Sequence, residues 1–572
     1  MNKKNKLRPE EPDKQVLAKD NFMFVIVFGL WLLLVLYFDP KIFAEVKRGE
    51  PFLAWLSVTG LIICVNIFWL IGIYQIVLAI FSRFISQDLP EVLYLLPLSP
   101  KVAILYPTKD DFKELAILSC LSQDYPNFKV YILDDSIDEK NKQKIDNFAS
   151  NHTTVNLIRR ENKTGFKAGN LNYGLKQIGD GFEYFAISDA DGILPRDFLK
   201  RMIPYFSLDK NIGFVQSQQQ TNPKQEFIFS EYLKHQTRLH YKYFVPAKNK
   251  YGYVLFYGHG GIVRIDVWKQ VGGFPDSITE DFIFTSEALR LGYRGLFVSD
   301  VICYEDFPED YHKYRKRGER WISGTVAYFL KYYPKLLFSR HATWIEKVDI
   351  PLFAGRLLFG LPFIFFLFIV SIALPLTTKY FNLYLPLNTM PIPLFESIPL
   401  FFSGSYQVGQ KIYANWAFEF FIAMLLYAFS DLVFAVIEWY KKPKKMFNFL
   451  AQYTFVCFST IIFFARVILL CFLPIKRTFY VSGIKKYHLS SQSLFIPIKI
   501  DRFSIFEALI GIILILSVFQ TSNIWLFPIA IALIANPLLY KFKWETPGIY
   551  LIVILPFILF LLIVLIVGLS FL

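Results

Sequence analysis

The chain has 572 residues, 54% of them hydrophobic and only 19% charged, with a formal net charge of +14. This excludes a single ordinary soluble domain and points to a membrane protein. The basic residues gather at the edges of apolar runs (Lys3, Lys4, Lys6, Arg8; Lys441, Lys442, Lys444, Lys445; Lys476, Arg477, Lys485, Lys486), a placement that favours a membrane boundary over nucleic acid.

The basic tail places the N-terminus in the cytoplasm. Residues 22–38 and 53–81 carry no charged side chain and read as two spans, out and back. The first is not a signal peptide, because no small-residue cleavage site follows it. Residues 100–323 then lie in the cytoplasm and alone have a soluble-domain composition. Short β-type runs at 102–105, 129–133, 155–158, 184–187 and 213–216 alternate with polar, helix-like stretches, an α/β pattern of domain size.

Residues 357–378 lead outward, and the proline-rich stretch 375–413 reads as an irregular external segment against the membrane. Residues 416–439 return inward with Glu438 expected at the interface and Glu419 and Asp431 as candidates for lining a polar path. If 447–473 spanned, the basic loop 476–499 would lie outside, so an interfacial or re-entrant helix is expected there, with Arg466 in its middle. Residues 508–540 divide into two short spans at Gln520-Thr521-Ser522-Asn523, and 549–572 is the last. This reading gives seven spans and an external C-terminus. The cysteines Cys64, Cys120, Cys303, Cys457 and Cys471 have no paired spacing and read as reduced and buried, without a metal framework.

The chemistry gathers in the soluble segment. Tyr184 to Ile187 reads as a buried strand that stops in Ser188-Asp189-Ala190-Asp191-Gly192. Two carboxylates at period two point the same way and suit a shared divalent cation; an acidic turn is the plainer alternative. Val130 to Leu133 likewise ends in Asp134-Asp135, where ligands bind beyond parallel strands, unless Asp135 and Ser136 merely cap a helix. Lys167 beside Gly169 suits a phosphate at a turn. Thr279 reads as an N-cap with Glu280 and Asp281 in the first turn, a geometry that also holds Asp281 as a general base. Arg317-Gly318-Glu319-Arg320-Trp321 offers a diphosphate clamp and a sugar-stacking ring, or an interfacial anchor.

In this order and spacing the clusters resemble the membrane-embedded processive glycosyltransferases of family 2, the cellulose synthase-like group. The family's strand-end Asp, DxD, TED and QxxRW pattern matches Asp135, Asp189-Ala190-Asp191, Thr279-Glu280-Asp281 and Arg317 to Trp321. Lys167-Ala168-Gly169-Asn170-Leu171-Asn172 matches its KAGNLN segment, and Gln216 to Pro223 its glutamine-rich run. Phe256 to Gly261 sits where the family has its FFCGS-like acceptor loop, and Phe479-Tyr480-Val481-Ser482-Gly483-Ile484-Lys485 where it has a gating loop. Arg317 replaces the family's glutamine, His259 its cysteine and Ser482 its threonine.

The resemblance implies a cytoplasmic α/β glycosyltransferase-A domain, a mixed sheet flanked by helices, inserted in an α-helical transmembrane domain. The boundaries expected are a tail and transmembrane hairpin at 1–99, the catalytic domain at 100–322, interfacial helices at 323–349 and a channel region at 350–572 with an interfacial helix and gating-like loop near 447–490. It implies an inverting hexosyltransferase in the inner (plasma) membrane that builds and exports a β-linked polysaccharide from a UDP-sugar, UDP-glucose being favoured. Asp189 and Asp191 hold Mg²⁺ or Mn²⁺; Thr108, Asp134, Asp135, Lys167 and Arg317 contact the donor nucleotide. Asp281 is the base, with Glu280, Arg320 and Trp321 beside it; Gly258, His259 and Trp321 meet the acceptor; Phe479, Val481, Ser482 and Lys485 gate. The partners are the UDP-sugar, the nascent polysaccharide and the bilayer, with room for accessory or export subunits and no nucleic acid. Two alternatives stay open: a non-processive transferase adding one sugar to a lipid carrier, and a transporter with a regulatory domain.

Overall fold

The computed structural model describes residues 17–44, 51–84, 89, 99–225, 228–373, 377, 430–473, 502–521 and 526–542. Two apolar helices come first, α1 (Phe22–Ala44) and α2 (Phe52–Phe84). The α/β segment follows as β1 (Val102–Thr108), α3 (Glu114–Leu121), β2 (Phe128–Asp134), α4 (Glu139–Asn151), β3 (Val155–Arg159), α5 (Phe166–Ile178), β4 (Tyr184–Ile187), α6 (Phe198–Met202), β5 (Ile212–Thr221), α7 (Ile228–Leu239), α8 (Lys248–Tyr251), β6 (Gly261–Arg264), α9 (Ile265–Val271), α10 (Glu280–Arg290) and β7 (Arg294–Glu305). The chain continues through α11 (Tyr311–Lys331), α12 (Tyr333–Leu337), α13 (Trp344–Leu358), α14 (Gly360–Phe368), α15 (Ser430–Trp439), α16 (Pro443–Cys471), α17 (Arg502–Thr521) and α18 (Phe527–Phe542).

The strands form one seven-stranded sheet in the order β3-β2-β1-β4-β6-β5-β7. β6 runs antiparallel to both its neighbours, while the other pairings are parallel. Six strands therefore end on one edge of the sheet, and β6 begins on that same edge. Successive side chains go to opposite faces: Val102, Ile104 and Tyr106 join one buried cluster, Ala103 and Leu105 another. Both faces are covered, which is why the strands read as continuous apolar runs. The five expected strands are present, most of them longer than expected, and β6 and β7 are added to them. This is a glycosyltransferase-A-like mixed sheet with flanking helices.

α1, α2 and α16 are long and apolar enough to cross a membrane, and α13 with α14, bent by 61°, make a broken fourth candidate. The stretch 447–473, expected to be an interfacial or re-entrant helix, falls almost wholly in α16, one continuous 29-residue helix long and apolar enough to be a span. Residues 508–540 divide as expected, into α17 and α18. Glu419 and the gating residues Phe479, Val481, Ser482 and Lys485 lie outside the described residues.

Polar contacts tie the apolar helices to the sheet domain. Glu438 of α15, expected at the membrane edge, is half-buried and pairs with Arg238 Nη2 (3.0 Å) and Lys242 Nζ (2.6 Å). Ahead of α1, Lys19 Nζ donates to the carbonyls of Lys248 (3.1 Å) and Asn249 (2.9 Å) in α8, and the Asp20 N–H to Lys250 (2.9 Å).

Candidate active site

Each strand that ends on the shared edge delivers a polar residue there. β4 delivers Asp189 and Asp191. The loop between them is fixed by the buried Tyr106 hydroxyl, which donates to the Ala190 carbonyl (3.0 Å), and by the Gly192 N–H, which donates to the Asp189 carbonyl (2.8 Å). Burial, then the Glu305 and Asp189 charges, push the Asp191 carboxyl up to about 6. Asp189 Oδ1 is buried and pairs with the Lys167 ammonium at 2.6 Å. Among the described residues no group of three or more His, Cys, Asp or Glu is arranged as a complete metal cage.

Lys167 is not on a turn, as Gly169 had suggested, but in the first turn of α5. Gly165 at the N-cap supplies the left-handed backbone (φ 76°) that starts this helix. Lys167 Nζ also donates to the Gly258 carbonyl at 2.9 Å. Burial pulls its ammonium down, but Asp189, Glu280 and Asp281 outweigh that and hold it above the usual lysine range.

Glu280 and Asp281 open α10. Burial raises both carboxyls, and for Glu280 the adjacent Asp281 charge raises it further. Asp281 Oδ1 accepts from the Phe282 N–H at 2.7 Å. Gly258 (φ 78°) passes so close that a Cβ there would lie 3.1 Å from Asp281 Oδ2. Thr279 occupies the N-cap position as expected, yet its hydroxyl makes no capping bond. It faces Gly324 of α11 instead, where a Cβ would lie 2.1 Å from Thr279 Cγ2.

The loop entering β6 carries His259, whose carbonyl accepts from Gln216 Nε2 (3.0 Å) and Gln219 Nε2 (2.9 Å) of β5. That is the structural use of the glutamine-rich run. His259 Nε2 lies 3.1 Å from Glu305 Oε2, while its Nδ1 is buried without a partner. Burial opposes the charge of both groups, but each stabilises the charge of the other: the imidazole is raised and the carboxyl lowered. Arg317 Nη2 is 3.8 Å from Glu305 Oε1, and its guanidinium lies 4.4 Å from the Trp321 ring centroid. Trp321 is 42% exposed, leaving ring surface open for stacking. Arg320 interacts electrostatically with Glu280 and Asp189.

The edge thus assembles Lys167, Asp189, Asp191, Gly258, His259, Glu280, Asp281, Arg317, Arg320 and Trp321. Asp134 and Asp135 reach the same edge but are already engaged, which the sequence did not disclose. Asp134 accepts from Arg159 Nε (2.7 Å), and Asp135 takes a bidentate bond from the buried Arg160 (2.8 and 2.6 Å). Neither Asp135 nor Ser136 caps α4; Asp138 does. Thr108 donates to Asp111 (2.8 Å), and Arg317 faces Glu305 and Trp321. Glu305 was missed altogether. Its signal was present, since Cys303-Tyr304-Glu305-Asp306 is one more strand running into acids.

Residues 115–324 match the family model described as glycosyltransferase like family 2. The chain is 28% identical over 276 residues to a protein of Oryza sativa subsp. japonica described as probable glucomannan 4-beta-mannosyltransferase 11. That alignment covers 46% of this chain and 48% of the relative, so the chain spans about half of the relative's length. Among solved structures it is similar to the mannosyltransferase PcManGT of Pyrobaculum calidifontis in complex with GDP-Man and Mn²⁺ (18% identity, 66% of this chain and 99% of that one, TM-score 0.43). It is also similar to S. aureus TarS 1–349 in complex with UDP (17% identity, 45% and 70%, TM-score 0.32).

Proposed function

We propose that this chain, whose residues 115–324 match the family model described as glycosyltransferase like family 2, is an inverting, metal-dependent transferase that adds hexose units from a nucleotide sugar to a growing β-linked glycan at the membrane. One observation carries the reading. Lys167, Asp189 and Asp281, from three separate elements, meet on one sheet edge, with Lys167 2.6 Å from Asp189 and Gly258 packed between Lys167 and Asp281.

A divalent cation fits here. Asp189 and Asp191 crowd one another and Glu305 adds to the negative charge around Asp191; the two would hold Mg²⁺ or Mn²⁺, with donor phosphates completing the ligands. When bound, it neutralises charge on the leaving diphosphate. Lys167 and Arg320 stabilise the same charge from the protein side. Asp281 accepts the proton of the acceptor hydroxyl. That oxygen bonds to the anomeric carbon as the bond to the β-phosphate oxygen breaks, and the bond's electron pair leaves with the nucleoside diphosphate. One displacement inverts the anomeric centre. Raised by burial, Asp281 is a better proton acceptor than an exposed aspartate. Trp321 stacks on the acceptor sugar, His259 donates to one of its hydroxyls, and Arg159 with Asp134 and Arg160 with Asp135 form the wall facing the base.

The donor sugar is glucose or mannose. The sequence motifs favour UDP-glucose, whereas the rice relative's description as a mannosyltransferase favours mannose, so UDP-glucose and GDP-mannose are the two donors to try. The helices long enough to cross a membrane support synthesis at the inner face of the bilayer coupled to export. Purified full chain, incubated with each donor and Mg²⁺ or Mn²⁺, is expected to release nucleoside diphosphate and form a product cut by a linkage-specific hydrolase. Asp281→Asn is expected to bind donor normally and lose transfer by at least about a hundredfold. Full turnover by that variant refutes the base assignment, and a product with a single added sugar refutes polymerisation.

A further inference from the structure

Helix α11 has two faces with different employers. Tyr311, Arg315, Gly318 and Ile322 are buried and, at spacings of four, three and four, form one stripe. That stripe points away from the sheet domain: Gly318 packs on Phe464 of α16, where a Cβ would lie 2.6 Å from the ring. Arg317, Arg320, Trp321 and Gly324 form the other stripe, toward Glu305, Glu280 and Thr279.

The first stripe contains a fully buried ion pair. Arg315 Nη1 and Nη2 meet Glu507 Oε2 and Oε1 of α17 at 2.8 and 2.9 Å, with side chains 1% and 0% exposed. Asn536 of α18 donates to Glu507 Oε2 (3.1 Å) and to the Ser459 carbonyl of α16 (2.9 Å). The Tyr311 hydroxyl lies 2.8 Å from Ser459 Oγ and 3.1 Å from Asn536 Oδ1. The Arg315 guanidinium lies 4.0 Å from the Phe463 ring centroid. One polar network thus joins α11, α16, α17 and α18 in otherwise apolar surroundings.

Such a pair is a weak source of stability, because well-packed apolar residues of similar size often do as well. What a bidentate pair adds is register: it accepts one rotation and one height of α11. A slip of one helical turn would move Arg317 and Arg320 by about 5.4 Å, and a misplacement of about 1 Å costs on the order of a hundredfold in rate.

We propose that Arg315 and Glu507 are positioning residues of the transferase, through which α16, α17 and α18 set the placement of Arg317, Arg320 and Trp321 over the reacting sugars. The inference rests on the reading of the α11 edge as the acceptor side of the site. The test uses full-length protein, both donors, and the ratio of transferred sugar to nucleoside diphosphate released. A merely structural role lowers the amount of active protein and leaves that ratio alone. Arg315→Met with Glu507→Leu, which keeps volume and removes register, is expected to lower the ratio at least fivefold while donor KM stays within twofold. The swap Arg315→Glu with Glu507→Arg is expected to return it toward wild type. An apolar pair with wild-type kcat and ratio, or a swap no better than the apolar pair, overturns the inference alone. Wild-type protein that releases no nucleoside diphosphate from either donor overturns the transferase reading and this inference with it.

Discussion

Replacing Gly324 by alanine tests how closely α10 and α11 must approach. The new methyl would lie 2.1 Å from Thr279 Cγ2, 2.7 Å from Oγ1 and 2.9 Å from Cβ. Carbon atoms need about 3.5 Å, so the helices must part locally by roughly 1.4 Å or Thr279 must turn into its neighbours. Overpacking of this kind costs about 1–3 kcal/mol, visible as a lower melting temperature. The larger effect is expected in catalysis. Asp281 lies two residues beyond Thr279 and Arg320 four before Gly324, so the shift falls on the base and on the arginine facing Glu280 and Asp189, and kcat should drop by about a hundredfold with donor Kd unchanged. Thr279→Ala removes the two outer atoms and leaves only the 2.9 Å contact. The residual overlap is then roughly 0.6 Å instead of 1.4 Å, so adding Gly324→Ala to Thr279→Ala should cost much less than Gly324→Ala alone, a large coupling in a double-mutant cycle. The assay is nucleoside diphosphate release at saturating donor, beside a thermal melt. Wild-type kcat in Gly324→Ala, or losses that simply add in the double variant, would refute the reasoning.

Glu305→Gln removes the carboxylate that His259 and Arg317 share; we expect about 2 kcal/mol lower stability and a raised acceptor KM, and an unchanged melt and KM would count against its role. Because folding raises the Glu280 and Asp281 carboxyls, their ionisation costs stability as pH climbs from the ordinary carboxylate range through the raised one. The melting temperature should fall across that window, less steeply in Glu280→Gln. The acid limb of kcat/KM should lie above the ordinary aspartate range and move to lower pH in that variant; a limb that does not move argues against the coupling. Excess chelator is expected to abolish turnover and added Mn²⁺ or Mg²⁺ to restore it, whereas undiminished turnover in chelator removes Asp189 and Asp191 from a metal role.

What could be read from the chain follows from the range of the interactions. The ends of β2 and β4 were legible because an apolar run stopping in carboxylates is a local signal. β7 was not, because Ser299-Asp300 interrupts it; the structure absorbs them in an irregularity of the β5–β7 register, and Glu305 was lost with the strand. β6 has only four residues behind a glycine-rich loop, too few for a pattern. Arg159 and Arg160 gained meaning only through the pairing of β2 with β3, which puts Arg159 opposite Asp134. Thr279 illustrates the converse case. The local pattern of a cap was correct in position, but the tertiary demand of Gly324 decided what the side chain does.

The Lys19 anchor bears on how the molecule is made. Its acceptors, the carbonyls of Lys248 and Asn249, come 229 and 230 residues later in the chain. A ribosome working from the N-terminus must therefore deliver α1, α2 and most of the sheet before this first-made segment can dock. The order of synthesis keeps that lysine without these acceptors until residue 249 has been made, so a nascent chain halted before Lys248 would leave the leading segment open to protease.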